Sequence, residues 1–85
     1  MSGAFPNGFL GSAQGAFAVT PSDTVDLPAP IRALTIGTAG GTVSYIHTRT
    51  GETHTTGPLP LNTYSLEAKR ILATGTTATG LTGWV

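Results

Sequence analysis

The stretch "IRALTIGTAGGTVSYIHTRTGETHTT", residues 31–56, decides the fold class. Its start alternates. Leu34 and Ile36 fall on one side of an extended chain and Ala33 and Thr35 on the other, the period of two that marks a half-buried strand. "TAGG" interrupts with turn chemistry. "TVSYIHT", residues 42–48, is β-branched and aromatic and predicts a second strand. "RTG" turns the chain and "ETHTT" predicts a third strand, which makes a hairpin.

The same signals continue outward. "GPLPLN" is a proline-bounded connection, and "TYSLEA" places Tyr64, Leu66 and Ala68 on one face. "KRILAT" is expected as a separate strand and "TGLTGWV" as the last. The one helical candidate, "LEAKRIL", has β-rich flanks and threonine after it, which favour strand. On the other side, "VTPSDTVDLPAPIRAL" contains Pro21, Pro28 and Pro30, which exclude a helix and hold the chain extended or in turns. Short strands separated by Gly/Pro turns predict an all-β domain over residues 19–85, a small antiparallel β-sandwich or jelly-roll-like unit.

Residues 1–18, "MSGAFPNGFLGSAQGAFA", differ from the rest: glycine recurs at 3, 8, 11 and 15, Pro6 interrupts, and no charge appears. Such a backbone does not sustain a helix. Phe5, Phe9, Leu10 and Phe17 are isolated apolar anchors on it. A frayed terminus is the bland reading. Two of the three phenylalanines lie in the first ten residues, however, which favours an extended arm that orders against a partner.

Length and charge bound the function. Eighty-five residues make one domain with a thin core, and no cysteine is present to brace it. Charged residues are 9% of the chain, against about 25% in an ordinary soluble domain. Arg32, Arg49, Lys69 and Arg70 balance Asp23, Asp26, Glu52 and Glu67 to a net charge of zero. With 39% apolar residues the chain lacks the composition of a disordered protein. A neutral surface repels its own copies weakly, so self-association is expected. Without a basic stripe there is no drive toward nucleic acid, and no apolar run approaches the roughly 20 residues of a membrane span. The start of the chain lacks the regions of a signal peptide. The expectation is an intracellular product that assembles with something.

Candidate chemistry is sparse. Gly75-x-x-x-x-Gly80 has the glycine spacing of a phosphate-binding loop, but Leu81 and Thr82 follow where lysine and Ser/Thr are required, and no helix follows to bind the anion. The stretch is expected to be a turn, with Gly75 or Gly80 supplying positive φ and the threonines at half-exposed strand positions. If Thr50-Gly51 is a two-residue turn, His47 faces His54 and Arg49 faces Glu52. A three-residue loop with a bulge at Gly51 fits equally and breaks that opposition. Two facing imidazoles could share a metal or act as a pH switch, but no third ligand lies nearby. Asp23 and Asp26 suit turn capping better than acid–base work, and no G-x-S-x-G elbow occurs. The expectation is a protein that is not an enzyme, with no catalytic, cofactor-binding or metal residues.

Two segments acquire meaning together: "AVTPSDTVDLP", residues 18–28, continuing into "RAL" at 32–34, and "RILATGTTATG", residues 70–80. In this order in a small all-β chain they resemble the spike base proteins encoded by tailed bacteriophages and by gene transfer agents, the phage-like particles of alphaproteobacteria. The resemblance implies a virion structural protein, made in the bacterial host cytoplasm and placed on the outside of the capsid. It implies a symmetric homo-oligomer, a pentamer favoured and a trimer the alternative. The implied partners are the major capsid protein and a spike or fibre protein, with no nucleic acid, membrane or cofactor. Residues 1–18 would be the capsid- or neighbour-contacting arm, and Trp84 and Val85 would anchor a subunit interface if exposed. Trp84 filling its own subunit's core is the competing reading. The alternative functions are a decoration protein cementing capsomers and a carbohydrate-binding β module, for which Tyr45, Tyr64 and Trp84 are the available aromatics.

Overall fold

The computed structural model describes residues 15–85, in which six strands are joined by loops: β1 Ala16–Ala18, β2 Ile31–Ala39, β3 Ser44–His47, β4 Thr53–Thr55, β5 Thr63–Ile71 and β6 Thr79–Trp84. Every pairing is antiparallel, and the spatial order is β1-β6-β2-β5-β3-β4. The all-β antiparallel class is the one expected from the alternation at Leu34 and Ile36.

The sandwich is realised as one hydrogen-bonded ladder folded on itself. Residues 63–68 of β5 pair with β2, and residues 68–71 pair with β3, with register irregularities on both sides of Ala68. Such irregularities bend a strand and sharpen its twist. The bend can be measured through the segment after β1. The Val19 N–H donates to the Leu81 carbonyl and the Ser22 N–H to the Ile71 carbonyl, both at 2.9 Å. Three residues of chain reach at most about 11 Å. A flat sheet would hold those two carbonyls much farther apart, so β5 must curl over the face of β2 and β6.

Between the two halves lies an aliphatic core: Val19, Ile31, Leu34, Ile36, Val43, Ala68, Ile71, Ala78 and Leu81. Phe17, Leu27, Tyr45, Leu59, Tyr64, Leu66 and Val85 pack around it, partly buried. No aromatic ring is among the fully buried side chains of the described residues; the largest are Leu34, Ile36, Ile71 and Val43.

Three expectations are corrected. "KRILAT" is not a strand of its own, because Lys69, Arg70 and Ile71 continue β5. Ala16–Ala18, assigned from sequence to the arm, form the edge strand β1 and pair with Thr82–Trp84 of β6. Residues 1–14, and with them Phe5, Phe9 and Leu10, lie outside the described residues. The 42–56 hairpin has a four-residue loop, residues 48–51, closed by His47 N–H to Glu52 C=O at 2.9 Å and Gly51 N–H to His47 C=O at 3.0 Å. Gly51 occupies the positive-φ position that such a loop needs, at 73°.

The tightness of the core generates a prediction at Gly83, which lies opposite both Phe17 and Leu34. A methyl group there would sit 2.6 Å from Ile31 Cγ2 and 3.2 Å from Val19 Cγ2. Gly83→Ala should therefore destabilise the fold by about 1–3 kcal/mol through overpacking. Gly57→Ala, which meets nothing within 4 Å, should not destabilise it. Denaturant titration of both variants checks this, and equal midpoints would refute it.

Candidate assembly surface

One face of β1, β6, β2 and β5 covers the core and the other does not. Register assigns the residues. The row Phe17–Gly83–Leu34–Tyr64 points into the core. The rows Ala18–Thr82–Thr35–Thr63 and Ala16–Trp84–Ala33–Ser65 point the other way. These outer rows hold no charged side chain, and Ala16, Ala18, Thr63 and Ser65 are exposed.

Trp84 belongs to this outer face and does not fill the core. Its indole Nε1 donates to Thr35 Oγ1 at 2.8 Å, and Thr35 Oγ1 lies 2.6 Å from Thr63 Oγ1 across the β2–β5 pair. The ring is drawn along the sheet toward β2, which leaves Ala33 1% exposed and Trp84 itself half-buried. Val85 packs against the core cluster and donates its N–H to the Gly15 carbonyl at 2.9 Å. Phe17 takes the core side of β1. The three aromatics weighed for sugar binding do not form one platform: Tyr64 shares the core-facing row with Leu34, and Trp84 lies on the opposite face.

Among the described residues the sheet has two open edges, since β1 and β4 end the strand order. Beside β1 lies a groove of about 450 Å³ lined by Ala18, Thr20, Ser22, Val25, Asp26, Leu27 and Pro28. The loop that forms it is held on the sheet by Leu27 N–H to Lys69 C=O at 2.8 Å and by Arg70, whose Nε donates to Asp26 Oδ1 at 2.7 Å. Asp26 is thus an ion-pair anchor.

Asp23 anchors the opening of the 73–78 turn. Its Oδ1 accepts the Thr74 N–H at 2.9 Å and its Oδ2 accepts the Thr74 hydroxyl at 2.7 Å. Those bonds, the backbone one first, hold the Asp23 carboxyl below its ordinary value. Gly75 and Gly80 both have positive φ, 94° and 70°, as a turn requires. The threonines between them are not simple strand residues, however. Thr77 Oγ1 accepts the Thr42 N–H and Thr76 Oγ1 the Ser44 N–H, each at 2.9 Å, so the turn clasps the start of β3.

The histidines do not meet. Tyr45, not His47, lies opposite His54, with ring centroids 5.6 Å apart. His47 Nδ1 instead accepts the Arg49 N–H at 3.1 Å, which organises the hairpin loop. Arg49 reaches Glu67 at 3.2 Å and Glu52 lies 3.6 Å from His54, so the expected Arg49–Glu52 pair does not form. Among the described residues, no group of three His, Cys, Asp or Glu side chains is placed to hold a metal ion.

The chain is similar to a chain in a solved structure described as "Capsid of native GTA particle computed with C5 symmetry". Sequence identity is 37% and the TM-score is 0.75, over 88% of this chain and 86% of that one. No protein-family model matches the chain, and no curated protein does.

The Asp23–Thr74 contact predicts a pH dependence. A carboxyl whose value is lowered by folding stabilises the native state above its ordinary value of about 3.9. That contribution is lost as pH falls through the lowered one. Asp23→Asn should melt below the wild type at neutral pH, with the gap closing as pH falls below the ordinary carboxylate value. A gap of constant size as pH falls would sink the assignment.

Proposed function

Because the chain belongs to the same family as this gene transfer agent capsid chain, we propose that it is the base of a capsid spike. It is a virion structural protein of the capsid surface, and it works by the geometry of its contacts and not by catalysis. Copies of the chain form a ring, which rests on the major capsid protein and holds a spike or fibre. The observation that carries the reading is similarity over nearly the whole chain to a capsid component. Five copies around a vertex fit the C5 symmetry with which that capsid was computed.

The surface supports the same reading. A neutral outer face made of alanine, serine and threonine costs little to desolvate compared with a charged one. It also contains a large aromatic ring, the residue type that carries binding energy at interfaces. The thin core leaves a subunit of this size with modest stability alone, and burial between neighbours adds about 25 cal/mol per Å² of apolar surface covered.

Quantitative mass spectrometry of purified particles tests the proposal. Five copies per spike-bearing vertex are expected, and absence of the chain from particles would overturn it. Copy numbers in multiples of three, matching capsomer junctions, would favour a cement role instead. Trp84, the single tryptophan of the chain, reports on the face itself. Its emission should move to shorter wavelength, and quencher access should fall, as protein concentration is raised through association. An oligomer that forms with Trp84 emission unchanged would show that a different surface makes the contact.

A further inference from the structure

The groove beside β1 has the chemistry of a socket for an apolar side chain. Val25, which lines it, is 66% exposed, a large hydrophobic left in solvent. Two of the polar groups in its wall are already engaged. Ser22 Oγ accepts the N–H groups of Thr24 and Val25 at 3.3 and 3.1 Å, and Asp26 Oδ1 accepts Arg70 Nε. What remains is Ala18, Thr20, Val25, Leu27 and Pro28 around an open space next to the edge of β1 that no described strand pairs.

We propose that the stretch around Phe5 and Phe9 of one subunit adds to the open edge of β1 in an adjacent subunit and seats a phenylalanine ring in this groove. The inference rests on the reading that copies of the chain assemble. Three features choose the occupant. Residues 1–14 carry no charge and bring Phe5, Phe9 and Leu10, matching a wall whose charge is already neutralised. In an extended strand, residues four apart project to the same side, so Phe5 and Phe9 share one face while the backbone pairs with β1, the strand-addition mode of recognition. Pro6 is tolerated because an added strand is itself an edge.

Direction chooses the neighbouring copy over the same one. β1 runs from Ala16 toward Ala18 and the groove, whereas Gly15 is tied to Val85 at the far end of the strand. The chain therefore enters β1 at the end of the strand opposite its own groove. Fully extended, residues 1–14 span about 46–50 Å, more than the 41 Å long axis of the described subunit, so a groove on an adjacent copy is within reach.

The chain contains no cysteine, so disulfide trapping can test this cleanly. Full-length Val25→Cys and epitope-tagged Phe9→Cys chains are co-expressed and oxidised. The mixed disulfide is expected at least tenfold above that formed when Gly57→Cys, an exposed site facing open space, replaces Val25→Cys. Trapping at the control level overturns the inference, as does a disulfide that closes only within a doubly substituted chain. Val25→Asp, a surface change that leaves the core intact, should weaken association at least tenfold in sedimentation, and unchanged association also overturns it. If wild-type chains still sediment as oligomers while trapping fails, only the arm-in-groove contact falls. Wild-type chains that are monomeric and absent from particles overturn the spike base reading with it.

Discussion

The structure depends on one constraint: a core of small aliphatic side chains must be enclosed by a sheet with only six strands. A flat sheet of that size exposes as much apolar surface as it covers. Folding the ladder over itself along β5 resolves this, because one strand then serves both halves and Ala68, the residue common to both pairings, is buried where they meet. Small residues at the closest approaches follow from the same geometry. Gly83 is pressed against Ile31 and Val19, and interiors packed to crystal-like density have no room for an added methyl.

A fold that cannot hold itself by core volume uses hydroxyl groups at its seams. Thr76 and Thr77 accept backbone N–H groups at the start of β3. Thr56 Oγ1 accepts the Val43 N–H at 3.0 Å, and Ser44 and Thr55 hydroxyls lie 3.0 Å apart across β3 and β4. The bonds from Thr56, Thr76 and Thr77 satisfy backbone donors where strand pairing stops, which matters because an unpaired buried donor costs about 1–3 kcal/mol. They also explain why threonine can replace charge so widely in this chain. The hydroxyl serves the backbone inside and presents a neutral methyl and oxygen outside, so the subunit keeps a surface on which identical copies do not repel.

Much of the fold was legible and the reasons for the misses are physical. Leu34 and Ile36 alternate with Ala33 and Thr35 because β2 has one core side there, and local pattern suffices to read that. β5 was read as two strands because Lys69 and Arg70 interrupt the apolar alternation. In the structure they sit at the irregularity where β5 passes from β2 to β3. β1 gave no local signal: three residues in a glycine-rich stretch become a strand only through β6, more than sixty residues away in sequence. The hairpin loop was two or three residues long by pattern alone; the structure makes it four, and His47 accepts a backbone N–H within it. The side taken by Trp84 was accessible in principle. Leu81 and Gly83 alternate with Thr82 and Trp84, and a glycine facing a packed core leaves the tryptophan on the other side. The groove beside β1 was not accessible, since its wall joins a strand end to an irregular loop whose path is set by distant carbonyls of β5.

The same features bear on why such a subunit would be built for assembly. An antiparallel ladder with an even number of strands ends in edges that run in opposite directions, so each edge can accept a further antiparallel strand without reversing the pattern. Natural proteins commonly blunt exposed edges with charge, and lysine above all. β1 has alanine, phenylalanine and alanine, and the two outer rows continuous with it, Ala16–Trp84–Ala33–Ser65 and Ala18–Thr82–Thr35–Thr63, carry neither sign of charge. Leaving that edge unguarded is a hazard for a free monomer, and an advantage only where a specific strand or neighbour regularly covers it. The charged groups point the same way: Arg49–Glu67 ties the hairpin loop to β5 and Arg70–Asp26 ties the loop after β1 to it, so these charges are engaged within the subunit.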